Sequence, residues 1–388
     1  MTYKFSDDQI AIRDAITKVC SNFDATYWLE CDKTGNYPQE FADAICEGGW
    51  LGIAMPEEFG GAGMGITEAS IMMQAVAQSG AGFTGASAIH LSLFGLNPVL
   101  LFGTEEQKQR MLPPTIQGKD ISCFGVTEPN AGLDTTNLQV RAIKEGDGYV
   151  IHGQKHWSSM AQRANKVLLL ARTTPRDEVK KKTDGLSLFY TDLNRDYVEI
   201  QEIEKMGRKA VDSNAVFYDG MPVPQEDLIG EEGKGFRYIL HGLNPERILL
   251  AAEAVGLGRA ALKRAVDYAK ERVVFGSPIG SNQGIQHPLA KNWMELEAAN
   301  LMTFTAAAKY DAKEECGAEA NTAKYLAAEA GYSACEQAIL THGGMGYAKE
   351  YHVERYLREM MIPRIAPVSR EMIFNFIGEK VLGLPRSF

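Results

Sequence analysis

The stretch Leu138-Gln139-Val140-Arg141-Ala142-Ile143-Lys144-Glu145-Gly146-Asp147-Gly148-Tyr149-Val150-Ile151 decides how the chain is divided. Leu138, Val140 and Ala142 alternate with polar residues, Glu145-Gly146-Asp147-Gly148 forms a turn signal, and Tyr149-Val150-Ile151 resumes the extended texture. In a strand, successive side chains point to opposite faces, so this alternation reads as a half-buried β-hairpin. Further short strand candidates follow at residues 167–170, 186–190, 198–200 and 215–218. Their irregular spacing predicts a small barrel or sandwich rather than a βαβ sheet.

On both sides of this zone the texture is helical. Toward the N-terminus, Ile10, Ile12, Ile16 and Val19 approximate helical spacing. Thr104-Glu105-Glu106-Gln107 is a capping-box pattern that predicts a short helix ending near Pro113. Residues 50–64 hold Pro56 and several glycines and read as a loop. Toward the C-terminus, residues 248–272 and 318–340 are proline-free and rich in alanine, and long helices without heptads predict a bundle. The expected class is α+β and mostly helical: an N-terminal helical domain over 1–118, a central β-barrel or sandwich domain over 119–232, and a C-terminal helical bundle over 233–388. At 388 residues, two or three domains with a sizeable core are expected.

Composition removes several function classes. The formal net charge of −10, with no basic run, argues against a nucleic-acid binder. The six cysteines (Cys20, Cys31, Cys46, Cys123, Cys316 and Cys335) form no CxxC and read as separate buried thiols of a reducing compartment. His152 and His156 flank a strand end and lack metal-ligand geometry, so no metal site is expected. No uninterrupted run of 18 apolar residues and no leader-like core appear, which makes a membrane span unexpected and the cytoplasm the expected location. The final tripeptide Arg386-Ser387-Phe388 is not a peroxisomal signal. Neither a GxGxxG after a strand, nor a Walker A loop, nor a GxSxG elbow is present.

Specific blocks then appear in order: Gly125-Val126-Thr127-Glu128-Pro129-Asn130-Ala131-Gly132-Leu133-Asp134; His152-Gly153-Gln154-Lys155-His156-Trp157-Ser158-Ser159; Lys205-Met206-Gly207-Arg208; Gly230-Glu231-Glu232-Gly233-Lys234-Gly235-Phe236; Glu271-Arg272-Val273-Val274-Phe275-Gly276, followed by Gln283; and His342-Gly343-Gly344-Met345-Gly346-Tyr347. In order and spacing the chain resembles the acyl-CoA dehydrogenase family over about residues 5 to 385. The resemblance implies FAD as cofactor, an acyl-CoA substrate, electron-transfer flavoprotein as acceptor and a homo-oligomer, usually a tetramer. Carried over by position, Phe124, Thr127, Trp157 and Ser159 would meet the isoalloxazine, where an apolar wall and a few fixed donors suit a flat ring. Arg272, Phe275 and Gln283 would reach the FAD of a neighbouring subunit, and an arginine fork suits a pyrophosphate. Gly343 and Gly344 would let the backbone approach a cofactor closely, and Ser369 would also contact it.

The catalytic base is implied in the same way. Most members of the family carry a glutamate in a Tyr-Glu-Gly-Thr loop; here that loop reads Ala366-Pro367-Val368-Ser369. Isovaleryl-CoA and long-chain types carry it instead in a Leu-x-x-Glu-Arg pattern, matched here by Leu243-Asn244-Pro245-Glu246-Arg247. Glu246, with Arg247 beside it, is the candidate catalytic pair, and Glu371 is the runner-up base. A plain structural reading also exists: Pro245 suits the first position of a helix, which would make Glu246 a first-turn glutamate favoured by the helix dipole. Leu133, Asn244, Ala366 and Pro367 are the candidate substrate contacts. Proline has no N–H, so Pro367 would remove one donor to the thioester oxygen. The small Ala366-Pro367 pair predicts extra room and tolerance of branched or long acyl chains. Leu133 and Leu340 also depart from the family pattern, and Pro367 and Leu133 leave open an oxygen-reactive oxidase of the same family or a non-catalytic flavoprotein.

Overall fold

The computed structural model describes residues 4–387, so Phe388 of the C-terminal tripeptide and the first three residues of the N-terminal domain lie outside it. Seven helices open the chain: α1 (Asp7–Cys20), α2 (Ala25–Thr34), α3 (Gln39–Glu47), α4 (Ile66–Val76), α5 (Gly82–Phe94), α6 (Asn97–Phe102) and α7 (Glu105–Ile116). The capping box expected at Thr104 starts α7: the Thr104 hydroxyl accepts from Gln107 N–H, and the Gln107 side chain accepts from Thr104 N–H. The helix does not stop near Pro113. It runs through Pro113 and Pro114 to Ile116, held by tertiary burial of Met111, Leu112 and Ile116. Between α3 and α4 the expected loop is present, broken only by the single 3₁₀ turns Trp50–Gly52 and Glu57–Phe59. The N-terminus of α4 is capped from far along the chain: Asp311 accepts from the N–H groups of Ile66 and Thr67 at 2.8 and 2.9 Å. A Cβ at Gly65 would lie 2.4 Å from that carboxylate, which is why glycine precedes the helix.

The run Ile66–Phe102 is long and apolar enough by composition to cross a membrane, which a search for unbroken apolar runs misses. It is not one straight rod. Gly80, at φ 103°, interrupts it, and Ile71, Met72, Met73, Ile89 and Leu93 form the core of the N-terminal domain.

The central domain contains β1 (Ser122–Gly125), β2 (Arg141–Glu145), β3 (Gly148–Ser159), β4 (Lys166–Arg172), β5 (Leu186–Asp192), β6 (Val198–Glu202), β7 (Ser213–Pro224) and β8 (Leu228–Ile229). The hairpin read from the sequence is β2–β3, with Glu145 opposite Gly148 and Gly146 at φ 55° in the turn. The strand order is β6-β7-β3-β2-β4-β5-β8, with β1 pairing parallel to β4. This corrects the expected barrel: β6 and β8 stay unpaired with each other, so the sheet is open and mixed. The link between its halves, β2 to β4, rests on the single pair Arg141–Arg172.

The C-terminal part consists of α8 (Gly235–Glu271), a short ribbon of β9 (Val273–Val274) and β10 (Ser277–Pro278), then α9 (Gln283–Asp311), α10 (Gly317–His342), α11 (Val353–Met360), α12 (Ile362–Ile365) and α13 (Arg370–Phe376). Helices α8, α9 and α10 share an alanine-rich core, including Ala254, Ala261, Ala299, Ala327 and Ala334. Small side chains allow close helix approach. Helix α8 is also the spine of the whole chain: Leu249 packs into the N-terminal core, while Tyr238 and Ile239 pack against β4 and β5 residues. The six cysteines are free thiols, buried except for Cys46, which is half-buried.

Candidate active site

Two segments of the central sheet make an aromatic shelf. Strand β1 ends at Gly125, and the backbone carbonyl of Thr127 accepts from His156 N–H at 2.8 Å, tying the Thr127 turn to β3. A buried ion pair locks the same junction. Lys155, fully buried, donates to Glu128 at 2.8 Å and to the Val126 carbonyl at 2.9 Å. Glu128 also accepts from the N–H groups of Gln139 and Val140. Burial pulls the Lys155 ammonium down to about 8, with the Glu128 charge opposing that shift. Both residues stand inside the quoted blocks, but a buried pairing between them could not be read there.

Just past Lys155, the β3–β7 register shifts, and Trp157 adopts φ 61°. That bulge turns the indole outward, leaving the residue 54% exposed in the single chain. Thr127 and Ser159 stand half-buried beside it, and among the described residues neither hydroxyl has a hydrogen-bond partner. Phe124 lies behind, its ring 5.8 Å from that of Phe94 on α5. A flat apolar ring system with polar edges fits such a surface: indole for area, two hydroxyls for orientation.

The candidate base lies on α8. Pro245 is not at the start of that helix. The helix begins at Gly235, so Glu246 sits three turns in, and the first-turn dipole reading does not apply. Pro245 leaves the His241 carbonyl without its backbone donor, and the Asn97 side chain supplies one at 3.2 Å. Glu246 makes no hydrogen bond or ion pair among the described residues. Burial is the main influence on its carboxyl and raises it to about 7; His90, Arg247 and Lys324 pull it down, and Glu253 pushes it up. Arg247 turns away and donates to Asn244 Oδ1 at 2.9 Å. Asn244 and Pro245 line a cavity of about 870 Å³ that also reaches Leu93, Phe94, Leu240 and Cys316.

The loop holding Ala366, Pro367, Val368 and Ser369 approaches the same region through a residue the sequence did not flag. Lys324 of α10, only 1% exposed, donates to the Val368 carbonyl at 2.6 Å, and its charge bears on Glu246. Burial brings this ammonium down to about 8. Ser369 caps α13 by accepting from Met372 N–H, so within the chain its hydroxyl has a structural role. Glu371 is exposed and held by Arg370 at 2.7 Å, which keeps its carboxyl below the usual range. That is a poor setting for a proton acceptor at neutral pH. Leu133 and Leu340 are both exposed.

Arg272, Phe275, Gln283, Gly343 and Gly344 cluster elsewhere. All are exposed, Phe275 completely. They gather at one end of the bundle, where His342 stacks on Tyr268 at 4.3 Å. A Cβ at Gly343 or Gly344 would meet nothing within the chain, although Gly343 needs its φ of 60°. At about 1.5 Å of rise per residue, Arg272 lies roughly 39 Å along α8 from Glu246.

An aromatic shelf with two free hydroxyls, and on α8 a carboxylate without a partner next in sequence to the lining of a long cavity, are the groups that a flavin-dependent dehydrogenase requires. The chain belongs to the acyl-CoA dehydrogenase family. Its residues 6–119, 123–221 and 233–382 match the family's N-terminal, middle and C-terminal domains. It is 37% identical to an acyl-CoA dehydrogenase of Mycobacterium tuberculosis, covering 99% of this chain and 98% of that one. It is 35% identical to the caffeyl-CoA reductase–Etf complex subunit CarC of Acetobacterium woodii, covering 86% and 87%. The butyryl-CoA dehydrogenase structure from Megasphaera elsdenii superposes with a TM-score of 0.93 at 29% identity, covering 98% and 100%.

Proposed function

We propose that the protein oxidises an acyl-CoA thioester between its α and β carbons to the trans-2-enoyl thioester. The observation that carries this is Glu246: a half-buried carboxylate with no hydrogen-bond or ion-pair partner among the described residues, next in sequence to Asn244 and Pro245 of the cavity lining, and with burial raising its pKa to about 7. FAD, when bound, supplies the acceptor for the β-hydride. Trp157 and Phe124 would wall its ring, with Thr127 and Ser159 hydrogen-bonding the ring edge. Glu246 takes the α proton. Its pKa suits that task, since a base is most effective when it is ionised yet still basic at working pH. Asn244 is held by Arg247 and positions the thioester arm in the cavity. Lys324 orients the 366–369 loop toward the same carbon.

Electron-transfer flavoprotein is the proposed acceptor; the Etf complex named for the Acetobacterium relative supports it. The working assembly is a homo-oligomer, with tetramer as the proposed state. Exposed Phe275, Tyr347, Trp293 and Leu340 form apolar surface on the bundle that a monomer would leave wet. Arg272, roughly 39 Å along α8 from Glu246, stands exposed at the far end of the bundle, which supports a cofactor site completed by a second chain. The test is anaerobic flavin reduction by a panel of acyl-CoAs. Bleaching by at least one thioester, abolished in Glu246→Gln, is expected; bleaching at a normal rate in that variant would place the base elsewhere.

A further inference from the structure

Helix α8 carries a second carboxylate beyond the base. Glu253 follows Glu246 by two turns, so it lies on the same face about 10 Å further along. It is 1% exposed, and a carboxylate buried so deeply needs a partner. His90 of α5 supplies it, with Nδ1 2.5 Å from Glu253 Oε1. The His90 side chain keeps only 12% exposure. Its ring packs edge-on against Phe94, with 4.8 Å between centroids, and Phe94 lines the same cavity as Asn244 and Pro245. The pair thus stands behind the cavity wall, in contact with the wall but not with what the cavity would hold.

Such a pair has two physical roles open to it. As a tie, it holds α5 on α8 and leaves the chemistry alone. As a charge, it acts on Glu246. The groups around the base favour the second role. Burial raises the Glu246 carboxyl; among the charges, His90 acts on it most strongly and downward, then Arg247 downward, Glu253 upward and Lys324 downward. Arg247 is turned onto Asn244, and Lys324 of α10 onto the Val368 carbonyl. Seen from His90, burial disfavours the imidazolium, and Arg208 repels it. Glu253, with help from Glu246, outweighs both and holds the ring above its ordinary pKa. Arg355 and Glu359 of α11 pair with each other at 3.0 Å.

We propose that Glu253 holds His90 as an imidazolium, and that this imidazolium is the counter-charge that keeps Glu246 ionised in surroundings that disfavour a lone carboxylate. His90 and Glu253 are then positioning residues for the base and touch no reacting atom. The arrangement suits the task. A cation bonded directly to Glu246 would occupy the lone pair that must take the α proton, whereas one held behind the wall by another carboxylate favours the charged form and leaves both oxygens free. The proposal rests on the reading of Glu246 as the base given above.

The test uses the FAD-loaded oligomer and follows anaerobic flavin reduction against pH with the fastest of butyryl-, isovaleryl- and octanoyl-CoA. A second readout needs no substrate: the stability difference between each protein and its Glu246→Gln version, by urea denaturation from pH 5 to 9, titrates the same carboxyl. His90→Gln should move the midpoint roughly one pH unit upward, the effect of losing a unit charge about 10 Å away, and keep the plateau rate at high pH. Glu253→Gln gives the sharper result. Removing a negative charge would by itself lower the midpoint, but without Glu253 burial discharges the imidazole, so a rise is expected here too. His90→Lys, which replaces the cation, should stay near the wild-type midpoint. FAD content reports folding, and Glu253→Gln decides the matter alone if His90→Gln does not fold. A midpoint unchanged in His90→Gln, or unchanged or lowered in Glu253→Gln, overturns the proposal and leaves the pair as a tie between helices. If no thioester reduces the flavin, the dehydrogenase reading falls, while the stability titration still shows whether His90 acts on Glu246.

Discussion

At the scale of single residues, Glu246 sets the chemistry through its surroundings. Its carboxyl is raised from 4.5 to about 7 in the folded chain, chiefly by burial. Only the ionised form accepts a proton, so flavin reduction should rise with pH with a midpoint near 7. Glu246→Gln should keep FAD, lose that titration, and reduce flavin roughly two to four orders of magnitude more slowly, the typical worth of a positioned base. Stopped-flow absorbance from pH 5.5 to 8.5 reads both effects. The stability consequence has a definite sign. A carboxyl whose folded pKa exceeds its unfolded value contributes fully below the unfolded value and loses that contribution as pH rises through 7. Glu246→Gln should therefore be more stable than wild type at pH 8, by roughly 1–3 kcal/mol, with the gap closing toward pH 5. Urea denaturation at the two pH values measures it. The other seat can be tested from the same background: Pro367→Glu added to Glu246→Gln should restore part of the rate, because Lys324 connects the 366–369 loop to the surroundings of Glu246. No recovery in a folded double variant would mean that the two seats do not face one carbon.

Elements are held in place by buried polar contacts that cross between them. Lys155 and Glu128 join the β1 turn to β3 just before the Trp157 bulge. Lys155→Met leaves a carboxylate buried without its counter-charge. The expected loss is roughly 3–5 kcal/mol, because breaking one partner of a buried pair costs more than removing both. Glu128→Gln combined with Lys155→Met should be less damaging than the sum of the single changes, as a denaturation cycle would show. Helix α8 has a gentler version of the same problem. Asn97 donates to the carbonyl that Pro245 leaves free. Asn97→Ala should cost about 0.5–1 kcal/mol, and less in a Pro245→Ala background, where the backbone supplies its own donor. Equal losses in both backgrounds would refute this account.

For the whole molecule, the separation of the two candidate cofactor regions governs assembly. Trp157 lies on the sheet, and Arg272 lies roughly 39 Å from Glu246 at the far end of α8. If each FAD site combines the shelf of one chain with the bundle end of another, Arg272→Ala and Trp157→Ala chains should complement each other. Co-refolded mixtures should bind more FAD than either variant alone. Dilution of the wild-type protein to monomer should release the cofactor, which flavin fluorescence reports. Full occupancy in a monomer would be incompatible with shared sites.

The architecture was largely legible in the chain itself. Period-two alternation at residues 138–151, the capping box at Thr104 and the proline-free alanine-rich runs are local patterns, and local hydrogen bonding and burial suffice to turn them into hairpin, helix and bundle. The ordered blocks around Thr127, Trp157 and Arg272, with the separate Leu243-Asn244-Pro245-Glu246-Arg247 pattern, proposed the candidate site residues, because close approach to a flat cofactor restricts residue types at fixed spacings. Tertiary structure decided what depends on partners distant in sequence. Whether the sheet closes was settled by its end strands, β6 and β8, which do not pair with each other. The entry of α8 ten residues before Pro245 depended on packing of Tyr238 and Ile239 and on Asn97 donating to the freed carbonyl. Nothing in the sequence singles out Glu253 or His90. Their pairing exists only once α5 and α8 meet, because the cost of a buried charge depends on what folding places beside it.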